Sequence, residues 1–272
     1  MLFRSGFGLL GLAAVLGDTA ARAADAPRSD DPLAPRAPHF RPRARRVIQI
    51  LANGGPSQMD TFDPKPELTR LHGRRLPIHL ETERPTATAL GSPFAFRRYG
   101  ESGLEVSELF AGLAEKHADD LCVIRSMHTD TPVHENCLRL MNCGASIMAR
   151  PSIGAWITYG LGSENRDLPG FVVLVPKGLP VAGADNWQSA FLPGSYQGTY
   201  LETEDRPAER LIEHLRNPAT SPEEQRAQLD LAAVLNRRHL AGRADPALEA
   251  RIHSFETAFR MQMAAKIGRA HV

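Results

Sequence analysis

Three short apolar runs set the terms on which this chain can fold. Val47–Leu51 is broken only by Gln49 and stops at Asn53-Gly54-Gly55, "LCVIRSM" covers Leu121–Met127, and "FVVLV" covers Phe171–Val175. Runs of this kind, bounded by turn residues, suit strands buried on both faces of a parallel sheet. The stretches between them carry helical spacing. Val106–His117 places apolar residues at Val106, Leu109, Phe110 and Leu113 behind Ser107 as a cap, His134–Asn142 reads as a helix ending at Gly144, and Ser152 caps a helix through Trp156 to Leu161. This alternation predicts an α/β fold: a doubly wound, mostly parallel sheet with flanking helices and right-handed crossovers.

Beyond Pro207 the pattern is helical only. It comprises "PAERLIEHLR", a second helix capped by Ser221 with Glu224 three residues on, and a third with Asp245 as cap and Pro246 at its first position. The chain is expected to stop within its fold. Its last residues, Ile267–Val272, read back as ATC GGA AGA GCA CAC GTC, the sequence of a widely used sequencing adaptor, so 267–272 are expected to be non-biological.

The first 24 residues have one cation, Arg4, an apolar stretch from Gly6 to Leu16, and small residues up to Ala24, the pattern of an export signal. That apolar stretch is shorter than the roughly 20 residues a spanning helix needs, so no stable membrane span is expected after cleavage. Gly6, Gly8 and Gly11 match a dinucleotide fingerprint in spacing but follow no strand, so the match carries no weight. "SGFGLL" resembles the tail of a twin-arginine signal whose arginine pair would lie upstream of Met1. Residues 25–45, rich in Pro, Arg and Asp, read as an extended linker. With 32 basic and 31 acidic residues the net charge is +1, which gives no reason to expect nucleic acid or an anionic membrane as partner. Three cysteines allow at most one disulfide, so cysteine does not organise the fold.

In an open α/β sheet, ligands bind beyond the carboxyl ends of the strands. "NGGPSQMD" lies at such an end. Gly54 and Gly55 permit close backbone approach and an anion-binding concavity, while Asn53, Ser57 and Asp60 offer oxygens to a hard cation. The competing reading is a tight turn punctuated by Pro56 and Pro64, with Asp63 as a cap. The second candidate runs from Arg125 to Gly144: a polar loop with His128, Thr129, Asp130 and Thr131, then His134 at a helix start, where the amides favour an anion. Here the competing reading is a capped helix with solvated polar residues. His134, Cys137 and Cys143 lack the paired spacing of a zinc site, and "GSYQG" is not a nucleophile elbow. The aromatic-rich "DNWQSAFLPGSYQGTYL" offers Asn186 and Trp187 to a pocket wall, with Trp187, Phe191 and Tyr196 equally readable as core.

Taken together, "GGPSQMDTFDPKP", "SPFAFRRYGESGLEVSELF", "CVIRSMHTD", "PSIGAWITYGLGSEN", "LPGFVVL" and "SAFLPGSYQGT" resemble the exported, sulfatase-like family catalogued as domain of unknown function 1501, over nearly all of the chain from Pro32 to about Lys266. The resemblance implies an alkaline-phosphatase-like core, of which residues 46–266 would be the N-terminal part. It implies a divalent cation (calcium, magnesium or zinc) and hydrolysis of phosphate or sulfate esters, on a small-molecule or glycan substrate.

Where sulfatases of that class carry a metal-binding Asp pair, the matching positions look like Asn53 and Gly54, with Asp60 a possible substitute. Where they carry their nucleophile the match is His134, with Thr131 the nearest hydroxyl, so formylglycine chemistry is not expected. The leading expectation is therefore an exported metal-dependent ester hydrolase, periplasmic or extracytoplasmic and inactive at this length. Asn53 and Asp60 would be metal ligands, Thr131 and His134 catalytic, and Gly54, Gly55, Ser57, His128, Asn186 and Trp187 would contact substrate. The alternative is a pseudoenzyme, a non-catalytic binding or structural module on the same fold. A carbohydrate-binding protein stacking sugars on Trp187 and Tyr196 is a third reading.

Overall fold

The computed structural model describes residues 31–76, 88–129, 131–204, 206, 211–212, 219–240 and 245–264. The export signal, most of "PAERLIEHLR" and the terminal 267–272 lie outside the described residues. The chain is mixed α/β and divides into two compact units, one of residues 49–130 and one of 131 onward together with the segment before 49.

In the unit of 49–130, a 3-10 turn at Gln58–Asp60 leads to the short helix α1 (Pro66–Arg70), and strands β1 (Phe96–Tyr99) and β2 (Leu104–Ser107) form an antiparallel hairpin in which Phe96 faces Ser107 and Tyr99 faces Leu104. Gly100 and Gly103 make its turn, both with positive φ. Asp119 fastens that turn, accepting from the Glu101 and Ser102 amides at 3.0 and 2.9 Å, and these bonds hold its carboxyl below the usual range. The helix expected over Val106–His117 is shorter. Val106 belongs to β2 and is fully buried, Ser107 Oγ accepts from the Leu109 amide at 3.2 Å, and after a 3-10 turn the helix α2 occupies Ala111–His117. Ser107 is a cap, as its position suggests, but the backbone before it is extended because β1 offers it a partner.

In the other unit, helix α3 covers His134–Cys143 and ends at Gly144 in the left-handed region. Helix α4 covers Ile153–Leu161, with the Ser152 hydroxyl accepting from the Ala155 amide at 3.3 Å. Ser152 is 2% exposed, so Ser152→Ala deletes a buried cap. The expected loss is about 1 kcal/mol of unfolding free energy, read from urea melts. Strand β3 (Val172–Val175) pairs in parallel with β4 (Thr199–Glu202), Val172 opposite Thr199.

Helices α5 (Pro222–Leu240) and α6 (Pro246–Ala264) pack on each other through Arg226, whose guanidinium meets Asp230 and Glu256 and lies 5.3 Å from the centre of the Phe259 ring. The start signals are realised as hydrogen bonds. Ser221 and Glu224 form a reciprocal capping box at 2.9 and 3.2 Å, and Asp245 accepts from the Leu248 amide at 3.1 Å.

The expected doubly wound parallel sheet is not found among the described residues, where two two-stranded sheets stand instead. Of the three apolar runs only 172–175 is a strand. The segments 46–51 and 121–124 carry no regular structure, and Ile48, Ile50 and Ile124 are exposed. An apolar run is a strand only when another strand's amides and carbonyls lie beside it, and β3 finds these in β4. No described helix is long and apolar enough to cross a membrane.

Candidate functional site

The loop after Leu51 is built as its residues suggest. Gly54 and Gly55 have φ of 86° and 74°, so two successive residues adopt the left-handed backbone that only glycine takes without strain. The Gly55 amide closes a turn on Ala52 O at 3.0 Å, and Asn53, Gly54, Gly55 and Ser57 are all exposed. Downstream, the chain is pinned. Thr61 is 4% exposed, its hydroxyl donates to Ser57 O at 2.9 Å, and its carbonyl accepts from the Ser107 amide at 2.9 Å. The half-buried Asp60 therefore stands on the last residue of a fixed 3-10 turn.

Arg125 connects this loop to the second polar segment. Its Nε donates to Phe62 O at 2.9 Å and lies 3.8 Å from Asp63, which Lys65 meets from the other side at 2.8 Å. Asp63, with a side chain 13% exposed, is thus a carboxylate between two cations. It ties the loop after Leu51 to the segment around Arg125. Arg125, Asp63 and Lys65 were not among the expected site residues. The available signal was Arg125 itself, the one charge inside an otherwise apolar run. Asn53, Gly54, Gly55, Ser57, Asp60 and the exposed His128 all belong to this unit.

Thr131, His134, Asn186 and Trp187 belong to the other unit. Thr131 is half-buried just before α3, its hydroxyl accepting from the Val133 amide at 3.2 Å and its carbonyl receiving the Cys137 thiol at 2.9 Å. His134 is the exposed first residue of α3. The far end of α3 is fastened to the turn at Gly183–Trp187, where Arg139 bridges Glu135 and Asp185 at 2.7 and 2.9 Å and the Asn142 amide donates to Asn186 Oδ1 at 3.1 Å. Asn186 and Trp187 are 6% and 5% exposed. Trp187 stacks on Tyr200 with ring centres 5.9 Å apart, so Asn186 and Trp187 both have side chains engaged inside the body. Tyr196 is likewise buried, whereas Phe191 is exposed.

Cys143, beneath Asp185 and Asn186, is buried, and desolvation with the adjacent Asp185 charge pushes its thiol up to about 11. The thiolate, the reactive form, is therefore scarce at pH 8, a thousandth of the population by about three pH units of separation. Thiol titration of the folded protein at pH 8 is expected to label exposed Cys122 rapidly and to leave Cys143 unlabelled until denaturant is added.

As a metal centre, the expected donors are thin. Asn53, Ser57 and Asp60 bring one carboxylate among them, and among the described residues no three His, Cys, Asp or Glu side chains gather to hold an ion. A hard divalent cation takes six or more oxygens, several from carboxylates. These residues do not fit a resident divalent ion. The family model described as protein of unknown function (DUF1501) matches residues 44–269. No curated protein and no solved structure matches the chain.

Proposed function

The chain belongs to the DUF1501 family, and from that membership we propose an exported, alkaline-phosphatase-like module that binds a phosphate or sulfate ester without cleaving it. The observation that carries this reading is the tie made by Arg125. It holds the segment that leads to His128 against Phe62–Asp63, so two polar loops with exposed donors share one compact unit. Within it, the backbone at Gly54 and Gly55 has the left-handed conformation that lets neighbouring amides converge on an oxyanion. Ser57 and His128 offer side-chain donors in the same unit.

The binding form of the reading is favoured over the hydrolytic one by the donor set, which supplies a single carboxylate where ester-cleaving metal sites need several. In the hydrolytic form Thr131 and His134 would carry attack and proton transfer. The Thr131 hydroxyl accepts from the Val133 amide at 3.2 Å, a local turn bond.

Calorimetric titration of the purified protein with phenyl phosphate, phenyl sulfate, inorganic phosphate and sulfate tests the reading, together with turnover of 4-nitrophenyl phosphate and sulfate with and without magnesium, calcium or zinc. Saturable binding without turnover is the expected result. Gly54→Ala forces an alanine into left-handed backbone at about 1–2 kcal/mol and is expected to weaken binding about tenfold. Turnover that depends on added metal replaces the binding form by the hydrolytic one; a folded protein that neither binds nor cleaves these esters overturns both.

A further inference from the structure

Helix α4 ends at Leu161, where its last carbonyls have no donor within the helix. A segment from the linker supplies them. Residues 31–36, Asp-Pro-Leu-Ala-Pro-Arg, were expected to be a featureless extended tether, yet they are docked on the body. The Arg36 amide donates to Leu161 O at 2.9 Å and the Ser163 amide donates to Leu33 O at 2.8 Å, a two-rung ladder of main-chain bonds. The Arg36 guanidinium donates to Tyr159 O, lies 5.5 Å from the centre of the Tyr159 ring, and reaches the Tyr196 hydroxyl at 3.2 Å. A guanidinium on the carbonyl end of a helix is favourable in charge as well as in hydrogen bonding.

The receiving surface is shaped for this segment. Tyr159 and Tyr196 meet edge to face at 5.3 Å and 86°, and the Tyr196 hydroxyl donates to Pro32 O at 3.1 Å. Tyr196 is 3% exposed, so this hydroxyl is fixed in place. Gly162 forms the floor: a Cβ there would collide with the Ala34 carbonyl. At the other end Asp31 closes a turn on the Leu33 amide at 2.9 Å, and its carboxylate lies 4.0 Å from His253 Nε2 on α6. All of these groups lie in one compact unit. The docked residues precede the span matched by the family, which begins at 44, whereas every group they touch lies within it.

Main-chain rungs, a tyrosine hydroxyl on the Pro32 carbonyl and an arginine read by carbonyl and hydroxyl oxygens together form a recognition mode for short extended peptides. We propose that the end of α4, Gly162, Tyr159 and Tyr196 form a peptide-reading groove for an extended Asp-Pro-x-x-Pro-Arg segment, which the chain's own residues 31–36 fill as a reversible latch. Pro35 and Arg36 are exposed on their outer side and residues 37–45 are exposed throughout, so the latch can lift without unfolding the body beneath it. The partner that fits the open groove is a proline-rich peptide carrying that same acidic-to-basic pattern.

Hydrogen exchange of the full chain tests this through one amide, that of Ser163, which donates across the groove to Leu33 O. In Arg36→Ala its exchange is expected to quicken at least about tenfold, while the Ala155 and Trp156 amides inside α4 keep their protection. The peptide Asp-Asp-Pro-Leu-Ala-Pro-Arg-Ala-Pro, added in trans to Arg36→Ala, is expected to restore Ser163 protection, and the same peptide with alanine for arginine is not. If Arg36→Ala also unprotects α4, Arg36→Lys retains charge without the planar fork and is expected to loosen Ser163 alone. A Ser163 amide that exchanges equally fast in the wild type and both variants, or a released groove that the peptide in trans leaves unprotected, overturns the proposal. Neither outcome bears on ester binding by the other unit.

Discussion

Trp187→Ala is expected to lower the unfolding free energy by about 3–5 kcal/mol, the usual cost of removing a large buried aromatic side chain, and in a chain of this size to lower the melting temperature by roughly 10 °C. The indole is 5% exposed and packs against β4. It stacks on Tyr200 at an interplanar angle of 7°, and its Cβ is 3.1 Å from where a Cβ on Gly198 would stand. Its own carbonyl receives the Gly198 amide at 3.2 Å and the Gln197 side chain at 3.1 Å, so backbone and side chain are held from both directions. Trp187→Phe keeps a ring on Tyr200 and is expected to lose less than half as much. Guanidinium melts of the three proteins check this. A sugar-stacking role makes the opposite prediction, that the alanine variant keeps its midpoint and loses glycan affinity.

The second large effect is expected at Asn186, through polarity instead of volume. Its side chain accepts from Asn142 at 3.1 Å and donates to the Val181 and Gly183 carbonyls, each at 3.0 Å. Those two bonds hold a turn in which Ala182 and Gly183 both have positive φ, 70° and 49°. For alanine this backbone costs about 1–2 kcal/mol, so the turn exists because Asn186 stabilises it. Asn186→Leu keeps the volume and strips the bonds, leaving buried polar groups without these partners. The expected cost is about 2–4 kcal/mol, measured by urea melts. Adding Asn142→Leu is expected to cost less than the sum of the single changes, because the bond between the two side chains is already lost in the first. Strict additivity would show that the 3.1 Å contact carries no coupling. For Trp187 and Asn186 together, a loss of ligand affinity with unchanged stability would restore the pocket-wall role that their sequence context suggests.

How far the fold was legible depended on the range of the interaction involved. The caps at Ser107, Ser152, Ser221 and Asp245 were readable because each hydroxyl or carboxylate bonds an amide two or three residues away. The end of α3 at Gly144 was readable for the same reason. The hairpin of β1 and β2 was missed although Gly100 and Gly103 mark its turn, since Val106, Leu109, Phe110 and Leu113 match a helical stripe just as well. Strand β4 was missed because "TYLE" sits in an aromatic-rich stretch with no alternation long enough to see. Of the site, the glycine pair and its exposed loop were legible; Arg125, Asp63 and Lys65 were not, because their importance is a meeting of residues about sixty positions apart.

By itself, then, the order of residues determined the caps at Ser152, Ser221 and Asp245, the end of α3 at Gly144, the left-handed turn at Gly54-Gly55, and membership in a family through a set of short motifs. Only the tertiary structure decided which apolar run became a strand, that Asn186 and Trp187 point into the body, and that the linker's Asp31–Arg36 lies docked at the end of α4. The physical reason is that a cap finds its hydrogen-bond partner within one turn of the same chain segment. A strand edge, a buried amide or a docked peptide takes its partner from a part of the chain that folding alone brings near.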